Sequence, residues 1–290
     1  MNIILFIFGL LVGSLLNVLA VRYKEDGKIF ERDRVIGRSA CPHCKKVLKS
    51  YELIPLLSYI FQLGKCRSCK NRLSIQYPLS ELITATLTVC TVSFLLSFYP
   101  INLDPAFGSI ATAIFIAIWL LIIYTLILLS LIDLRLKIIP DQINVFLFFL
   151  ALPLLFIKSN FPNAFLNQGS FLAGYGSIIN PISSVWLNAG FAAVFGAIFF
   201  GLIIAVTKGR GMGMGDLKLV IPLGLILGWP DIVLMISLSF IIGTIFSLPL
   251  LIFKKKTFKA AIPFGPFLVM AFFVTIIYGE ALLRWYFALL

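Results

Sequence analysis

The chain has 290 residues, of which 60% are hydrophobic and only 12% are charged, and its formal net charge is +12. The mean hydropathy of +1.05 excludes an ordinary soluble domain. Several uncharged runs approach or exceed the ~20 residues that a helix needs to cross a bilayer. A transmembrane barrel is excluded as well, because it would show short segments of alternating hydrophobicity. The composition therefore predicts an all-α polytopic membrane protein.

The first apolar run covers residues 1–21 and ends at Arg22. No basic residue precedes this run and no small-residue cleavage site is evident, so we interpret it as an uncleaved first transmembrane helix and not as a signal peptide. Asn17 lies within the run, and an amide inside a membrane helix needs a hydrogen-bond partner. Two interpretations of Asn17 are open: it binds a neighbouring helix, or it helps to line a functional site.

Residues 22–79, here called the cysteine domain, form a polar segment with 13 of the 24 Lys and Arg residues and a local net charge of +8. The segment contains two Cys-x-x-Cys pairs, Cys41 with Cys44 and Cys66 with Cys69. Two such pairs at this spacing are typical of a tetrahedral zinc site. Four thiolates leave no open coordination position, so the pattern predicts a structural zinc ion. A metal also suits a domain of about 60 residues, whose own core is small.

The second helix is expected at about residues 80–99, directly after the cysteine domain. Glu81 would lie in its first turn, where a helix N-terminus favours an anion. A capping role and a functional role for Glu81 both remain open. The stretch 51–59 within the cysteine domain is apolar enough to lie on the membrane face or to cover a groove.

Six further apolar helices follow the second one. They are predicted at about residues 109–132, 142–157, 186–206, 217–228, 231–253 and 262–285. Residues 158–185 are rich in Asn, Ser, Gly and Pro, which indicates a loop. The expected fold therefore has about eight transmembrane helices, with a small zinc domain between helices 1 and 2. It divides into a first transmembrane helix (1–21), the cysteine domain (22–79) and a seven-helix membrane domain (80–290).

Two carboxylates lie where predicted helices meet the membrane boundary after the second helix. Asp133 ends the third helix, and a carboxylate at this depth is costly enough to be a candidate functional residue. Asp141 follows Pro140 at the start of the fourth helix, so we expect it to be a helix cap.

A third carboxylate, Asp216, lies in the glycine-rich stretch 210–218 between two apolar runs. Gly213 and Gly215 leave little side-chain bulk and allow unusual backbone angles, which suits the close approach of a substrate backbone. The alternative is a loop in which Asp216 caps the next helix. Lys218 would either hold this loop at the membrane surface or tune the charge of the acid.

The positions of the basic residues predict how the chain is oriented across the membrane. With eight crossings and the N-terminus outside, 22 of the 24 Lys and Arg residues face the cytoplasm, as the positive-inside rule requires. This distribution explains the net positive charge of the chain without a nucleic-acid partner. It also makes the cysteine domain cytosolic, in a reducing compartment that suits zinc thiolates.

The same orientation puts Asp133 and Asp216 at one face and at similar depth, so the two acids are expected to meet. Two close carboxylates share a proton and titrate as a pair. One can then act as a general base on a water molecule while the other donates a proton to a peptide.

The residues around both acids carry a family resemblance. The tetrapeptide from Gly213 to Asp216 resembles the GxGD motif of intramembrane aspartic proteases, and its wider context resembles the bacterial type IV prepilin peptidases. The collinear motifs behind that resemblance are Gly13-Ser14 with Asn17-Val18 and Arg22, the four cysteines, Tyr77-Pro78 with Glu81-Leu82, Asp133 with Ile139-Pro140-Asp141, Gly211 to Leu219, and Ile262-Pro263-Phe264-Gly265-Pro266-Phe267. They run from about residue 13 to residue 270.

The resemblance implies a bifunctional enzyme of the bacterial inner membrane. It would cleave the short basic leader of prepilins and pseudopilins at the cytoplasmic face, and then methylate the new N-terminal amine with S-adenosylmethionine. The residues that it implies are Asp133 and Asp216 as the catalytic pair, Gly213, Gly215, Lys218 and Asp141 as supporting residues, and Asn17, Arg22 and Glu81 as candidates linked to methylation. No glycine-rich fingerprint places the methyl-donor site. The acids expected to help receive a basic leader are Glu25, Asp26, Glu31, Asp33 and Glu52.

The chain departs from the family pattern at two points. Tyr23-Lys24 follows Arg22 without the proline that the family often has, and Ala85 stands where the family often has glycine. A methyl group at Ala85 would crowd a tight approach, so a peptidase without methyltransferase activity is an alternative. Two more distant alternatives are a transporter that uses both acids as a proton or cation site, and a non-catalytic scaffold for pilus assembly.

Overall fold

The computed structural model describes residues 2–24, 37–41, 43–98, 109–161, 170–172, 174, 180, 182–252 and 262–288. Within these ranges the protein is almost entirely helical. The α-helices are α1 (Asn2–Arg22), α2 (Leu57–Phe61), α3 (Gln76–Phe98), α4 (Ser109–Leu136), α5 (Asp141–Asn160), α6 (Val185–Thr207), α7 (Met214–Leu227), α8 (Asp231–Ile252) and α9 (Gly265–Ala288), and a 3-10 helix (Ser50–Leu53) precedes α2. The β pairing in the described ranges consists of two isolated bridges in the cysteine domain. The predicted all-α class is confirmed.

In the described part of the chain, seven helices are long and apolar enough to cross a membrane, namely α1, α3, α4, α5, α6, α8 and α9. The remaining predicted crossing is α7, which has 14 residues. Its length of about 21 Å is less than the hydrocarbon thickness of about 30 Å. It packs against α5 and α6, and Leu219, Val220 and Leu223 on it are completely buried. Neighbouring helices therefore shield this short helix.

Three predicted helix starts are wrong by three or four residues. Helix α7 begins at Met214 and not at residue 217. Helix α3 begins at Gln76, so Glu81 lies in its second turn and does not cap it. Pro78 is accepted in the first turn because no intrahelical N–H is needed there. Helix α9 begins at Gly265, and Pro266 is accepted in its first turn because no intrahelical N–H is needed there.

Helices α1 and α3 approach each other closely through glycines of α1. A Cβ atom at Gly9 would lie 2.6 Å from Ala85 Cα, and one at Gly13 would lie 2.8 Å from Glu81 Cα. Ala85 is completely buried at this contact. Small residues let two membrane helices pack at backbone distance, so Gly9 provides the space next to the alanine that departs from the family pattern.

A buried polar cluster lies at the end of the helical bundle where α5 ends. Lys158, which the sequence suggests to be an outer loop residue, belongs to α5 and is only 2% exposed. Its ammonium donates a hydrogen bond to the carbonyl oxygen of Ile226, at 3.2 Å, and interacts electrostatically with Asp231. Asp231 accepts hydrogen bonds from the hydroxyl of Ser170, at 2.6 Å, and from the N–H of Phe171, at 2.8 Å. The cluster ties α5 and the start of α8 to the segment 170–172.

Candidate active site

A cavity of about 990 Å³ lies where α4 ends and where α5, α7 and α9 begin. Both predicted acids line it, Asp133 from the last turns of α4 and Asp216 from the first turn of α7. The other lining residues are Lys137, Ile138, Ile139, Asp141, Gly209, Arg210, Gly211, Met212, Gly213, Gly215, Lys218, Ile262, Pro263 and Phe264. The cavity, here called the dyad cavity, is therefore built from parts of the chain that are far apart in sequence.

Asp133 is held by the start of α9. Its side chain is 3% exposed, and its Oδ2 accepts a hydrogen bond from the backbone N–H of Gly265, at 3.0 Å. A Cβ atom at Gly265 would lie 2.7 Å from that same oxygen. Glycine is needed here for the close approach of a carboxylate. The sequence singles out the proline-rich motif around Gly265 but does not reveal that the glycine N–H meets an acid.

Asp216 occupies the third position of α7 and is 8% exposed. Its Oδ2 accepts a hydrogen bond from the N–H of Gly213, at 3.2 Å, so the carboxylate does cap its own helix. It lines the same cavity as Asp133, and the two carboxylates repel each other electrostatically. The capping and functional interpretations of Asp216 are therefore compatible.

The glycines beside Asp216 provide space and not unusual backbone angles. Gly213 has φ −82° and ψ 151°, an extended conformation that any residue adopts. A Cβ atom at Gly215 would lie 3.0 Å from Ile139 Cβ, and one at Gly211 would lie 2.8 Å from the Thr207 side chain. The expectation of unusual angles is wrong for Gly213, whereas the lack of side-chain bulk keeps this wall of the dyad cavity open.

Lys218 and Asp141 form an ion pair at the rim of the dyad cavity. The ammonium of Lys218 lies 2.8 Å from each carboxylate oxygen of Asp141. Asp141 does not cap α5 with its side chain, because Pro140 occupies the cap position. The predicted cap is wrong, and the carboxylate instead links the start of α5 to α7.

The three residues considered for methylation lie where α1 and α3 meet the cysteine domain. Asn17 is 1% exposed, and its amide oxygen accepts a hydrogen bond from Gln76 Nε2, at 3.4 Å. Its Nδ2 is buried and has no hydrogen-bond partner among the described residues. Glu81 accepts a hydrogen bond from the N–H of Leu56, at 2.8 Å, and Arg22 donates one to the carbonyl oxygen of Gly37, at 2.9 Å.

Arg135 was not singled out in the sequence, although it follows Asp133 by two positions. Its guanidinium donates hydrogen bonds to the carbonyl oxygens of Ala20, at 2.9 Å, and of Val21. These are terminal carbonyls of α1, and a cation satisfies such groups and complements the helix dipole. The contact joins α1 to the helix that carries the first acid.

The four cysteines converge on one point. Their Sγ atoms all lie within 4.8 Å of one another, and those of Cys41 and Cys69 are 3.9 Å apart. Four thiolates about 2.3 Å from a tetrahedral zinc ion would be separated by about 3.8 Å. The donor set and its geometry therefore fit a metal ion, and His43, which is exposed, is not part of the cluster.

The two cysteine turns have the same backbone design. Lys45 N–H donates to Cys41 O, at 3.0 Å, and Lys70 N–H donates to Cys66 O, at 2.9 Å. Both lysines have positive φ, 59° and 60°. Each turn directs two thiols to the same side, and a metal between them joins the two turns.

Backbone donors and neighbouring thiols act in opposite directions on the cysteine cluster. The N–H groups of Cys69 and Ser68 lower the pKa of the Cys66 thiol to about 7. The N–H of Asn71 also lowers the pKa of Cys69, but burial and the neighbouring thiols outweigh it and raise that pKa to about 11. A cation at the centre would favour the thiolate form of all four groups.

Of the acids expected to receive a basic leader, Glu25, Asp26, Glu31 and Asp33 lie outside the described residues. Glu52 accepts a hydrogen bond from the N–H of Lys49, at 2.8 Å, and so stabilises the turn of the 3-10 helix.

Two family models match successive parts of the chain. Residues 7–95 match the Bacterial Peptidase A24 N-terminal domain, and residues 120–248 match the Type IV leader peptidase family. The first match covers the cysteine cluster, and the second covers both acids. No solved structure matches the chain.

Several curated relatives match over nearly their whole length. A prepilin leader peptidase/N-methyltransferase of Aeromonas salmonicida (strain A449) is 30% identical over 303 residues, covering 98% of this chain and 92% of the relative. A protein of the same name from Bacillus subtilis (strain 168) is 30% identical, with 98% and 96% covered. Another from Pseudomonas aeruginosa is 32% identical, with 97% and 91% covered. With both family matches and this coverage, the chain belongs to the type IV leader peptidase family.

Proposed function

We propose that the chain is an aspartic endopeptidase of the bacterial inner membrane, which removes the basic leader of type IV prepilins and pseudopilins. We further propose that it N-methylates the new N-terminus. The observation that carries the peptidase proposal is the pair of buried carboxylates, Asp133 and Asp216, that line one cavity. Relatives of this chain along its whole length are named for both activities.

The two acids divide the work of peptide hydrolysis. One carboxylate removes a proton from a water molecule, whose oxygen adds to the peptide carbonyl carbon. The other, protonated, supplies a proton to the leaving nitrogen as the C–N bond breaks. The N–H groups of Gly265 and Gly213 each hold one oxygen, Oδ2, of their acid. The second oxygen of each carboxylate, Oδ1, is the proposed contact for water and peptide.

The depth of the dyad cavity suits a substrate that is itself anchored in the membrane. A prepilin holds an apolar helix in the bilayer and a polar leader outside it, so its scissile bond lies at the boundary. The dyad cavity lies where α4 ends and where α5, α7 and α9 begin. The distribution of Lys and Arg supports the cytoplasmic side as the location of this end, with the N-terminus of the chain outside.

The supporting residues shape the dyad cavity and do not transfer protons in this proposal. Gly213 and Gly215 leave room for the substrate backbone. The ion pair of Lys218 with Asp141 fixes the start of α7 against the start of α5, and thereby orients Asp216.

The methylation proposal concerns the junction of α1, α3 and the cysteine domain. S-adenosylmethionine, when bound, supplies an electrophilic methyl group to the new amine. Asn17 has a buried Nδ2 without a hydrogen-bond partner in the described ranges, which fits a polar group of a bound substrate. Glu81 and Arg22 place a carboxylate and a guanidinium near the same helix ends, and we propose all three as residues that bind or orient the reactants.

We propose zinc as the metal of the cysteine cluster, held by Cys41, Cys44, Cys66 and Cys69. Bound there, zinc stabilises the fold of the cysteine domain, and its four thiolate ligands leave no position for a substrate.

A cleavage assay with purified protein in bilayer nanodiscs and a leader-bearing prepilin tests the proposal. We expect Asp133→Asn and Asp216→Asn each to lower the cleavage rate by about 100- to 10,000-fold, because general acid–base catalysis is lost. Asp141→Asn, as the matched carboxylate of the same cavity, should lose activity only partly. Robust cleavage by either of the first two variants, in correctly inserted protein, would remove the dyad.

The same assay with an isotope-labelled methyl donor separates the two activities. Transfer of label to the new N-terminus supports the bifunctional enzyme. Cleavage that leaves an unmethylated product supports the peptidase without methyltransferase activity. A protein that moves protons or cations across the bilayer in an aspartate-dependent way, without cleaving prepilin, would instead support a transporter.

A further inference from the structure

The segment between the two cysteine turns exposes much apolar surface. Phe61 is 81% exposed, Leu63 is 83% exposed and Ile60 is 61% exposed. The other large apolar side chains exposed in this segment are Val47, Tyr51, Leu53, Ile54 and Leu57. A contiguous patch of this kind marks a binding surface for a protein, a ligand or a membrane.

A second cavity, of about 720 Å³, is lined by apolar side chains of this patch and by cationic side chains. Its apolar lining residues are Ile54, Phe61 and Leu63, and its cationic ones are Lys65, Arg67 and Lys70. All three cations are exposed. The guanidinium of Arg67 is oriented by a hydrogen bond to the hydroxyl of Tyr51, at 3.0 Å.

The patch adjoins the entry of α3 into the bilayer. The N–H of Leu56, directly before α2, donates to Glu81 in the second turn of that membrane helix. Ile75, 72% exposed, and Leu79, 52% exposed, are further exposed apolar side chains at the start of α3. The hydrogen bond between Leu56 and Glu81 thus holds the exposed patch next to the start of α3.

We propose that this second cavity binds an anionic phospholipid of the adjoining leaflet. The phosphate lies against Lys65, Arg67 and Lys70, and the upper acyl chain lies against Phe61 and Leu63. The phosphate and acyl chains of an anionic phospholipid complement the cationic and apolar residues that line the cavity. The hydrogen bond from Leu56 to Glu81 near the start of α3 supports a location at headgroup depth. Neither peptide cleavage nor methyl transfer depends on this site for its chemistry.

Binding of this kind gives α2 a place in the membrane interface. Short amphipathic segments bury their apolar face at the boundary of headgroups and acyl chains while basic side chains remain at the phosphates. The site would thus hold the cysteine domain flat against the bilayer.

Quenching of tryptophan fluorescence by brominated lipids in nanodiscs tests the proposal with the full-length protein. A Phe61→Trp variant reports on the lipids next to the cavity, and its signal is taken as the difference from the parent, which contains 4 Trp residues. Nanodiscs contain phosphatidylcholine mixed with phosphatidylglycerol, and only one of the two lipids is brominated in the upper acyl chain. We expect stronger quenching by brominated phosphatidylglycerol than by brominated phosphatidylcholine at equal content.

Two double variants, each lacking two positive charges, test whether the preference for phosphatidylglycerol arises at this cavity. Arg67→Gln with Lys70→Gln should lower the preference for phosphatidylglycerol by roughly fivefold for each cation removed, while quenching by total lipid persists. Lys45→Gln with Lys46→Gln removes two exposed cations from the other cysteine turn and should leave the preference unchanged. Metal content and thermal unfolding show whether each variant is folded.

Three results would overturn the proposal. Absence of quenching by either lipid would mean that the patch faces water or a protein. Equal quenching by both lipids would mean that the site does not select an anionic headgroup. Loss of preference in the Lys45 and Lys46 variant to the same degree would mean that diffuse charge attracts the lipid and not this cavity.

Discussion

At the scale of single residues, the dyad cavity is organised by backbone N–H groups of glycines. Gly265 and Gly213 each donate to the Oδ2 atom of one acid. Each bond fixes one oxygen of a buried carboxylate, which would otherwise be costly to leave unsatisfied. Gly215 acts differently, because its missing Cβ leaves space beside Ile139.

Gly265→Ala tests the fit between α9 and the first acid. The added Cβ would lie 2.7 Å from Asp133 Oδ2, so the carboxylate must shift. We expect cleavage to fall by about 100-fold, the usual effect of a small displacement in an active site. Initial cleavage rates measure this effect, and thermal unfolding shows that the fold is retained.

Gly190→Ala is the control for Gly265→Ala, because nothing lies within 4 Å of a Cβ at that helical glycine. It should cleave at the parental rate. If Gly265→Ala also cleaves at that rate, the contact at α9 does not position the acid.

At the scale of helices, polar contacts join elements at both ends of the bundle. Arg135 links α4 to the terminal carbonyls of α1 at one end. Lys158 and Asp231 link α5 and α8 at the other. The first contact lies next to the acid on α4, whereas the second is remote from the dyad cavity and is structural.

Lys158→Met is expected to destabilise the protein by about 1.5–3 kcal/mol, because it removes the buried ammonium that donates to the carbonyl oxygen of Ile226 and attracts Asp231. The free energy of unfolding in detergent micelles measures the effect. Lys218→Met is the control. Its ion pair with Asp141 is 46% and 67% exposed, so the expected change is within about 1 kcal/mol. Similar losses in both variants would contradict a special role for burial.

At the scale of the whole molecule, the membrane bundle and the cysteine domain are stabilised by different means. The bundle buries apolar helices against one another, with α4 contributing a large share of the core. The cysteine domain exposes many of its large apolar side chains and depends on two turns that converge on one point. Its stability should therefore depend on the metal, whereas that of the bundle should not.

Elemental analysis of the purified protein should find one zinc ion for each chain, held by the cysteine cluster. Cys66→Ser should lose the metal and make the cysteine domain sensitive to protease, while the membrane helices keep their helical circular dichroism. Cys90→Ser, which changes a cysteine of α3 outside the cluster, should keep the metal. A metal-free and protease-resistant parent protein would contradict the zinc assignment.

Most of the fold follows from local pattern. Long apolar runs predict the membrane helices because a helix satisfies its own backbone in lipid. Errors occur at helix ends, as at Glu81 and Lys158, where a few polar residues inside a helix resemble a loop. The predicted side-chain cap at Asp141 fails for another reason, since Pro140 occupies the cap position. The carboxylate of Asp141 pairs instead with Lys218, which is distant in sequence.

The sequence by itself determined the helical class, the metal-binding cysteine pattern and the likeness of both acids to a known family, because each is recorded in spacing or residue type. Only the tertiary structure decided what those acids touch. Gly265 is 132 positions from Asp133 along the chain, and no periodicity links a backbone N–H to a carboxylate at that separation. The same is true of Leu56 with Glu81 and of Lys158 with Asp231. Such contacts exist because packing brings helix ends together in space, and that packing depends on the whole set of buried side chains at once.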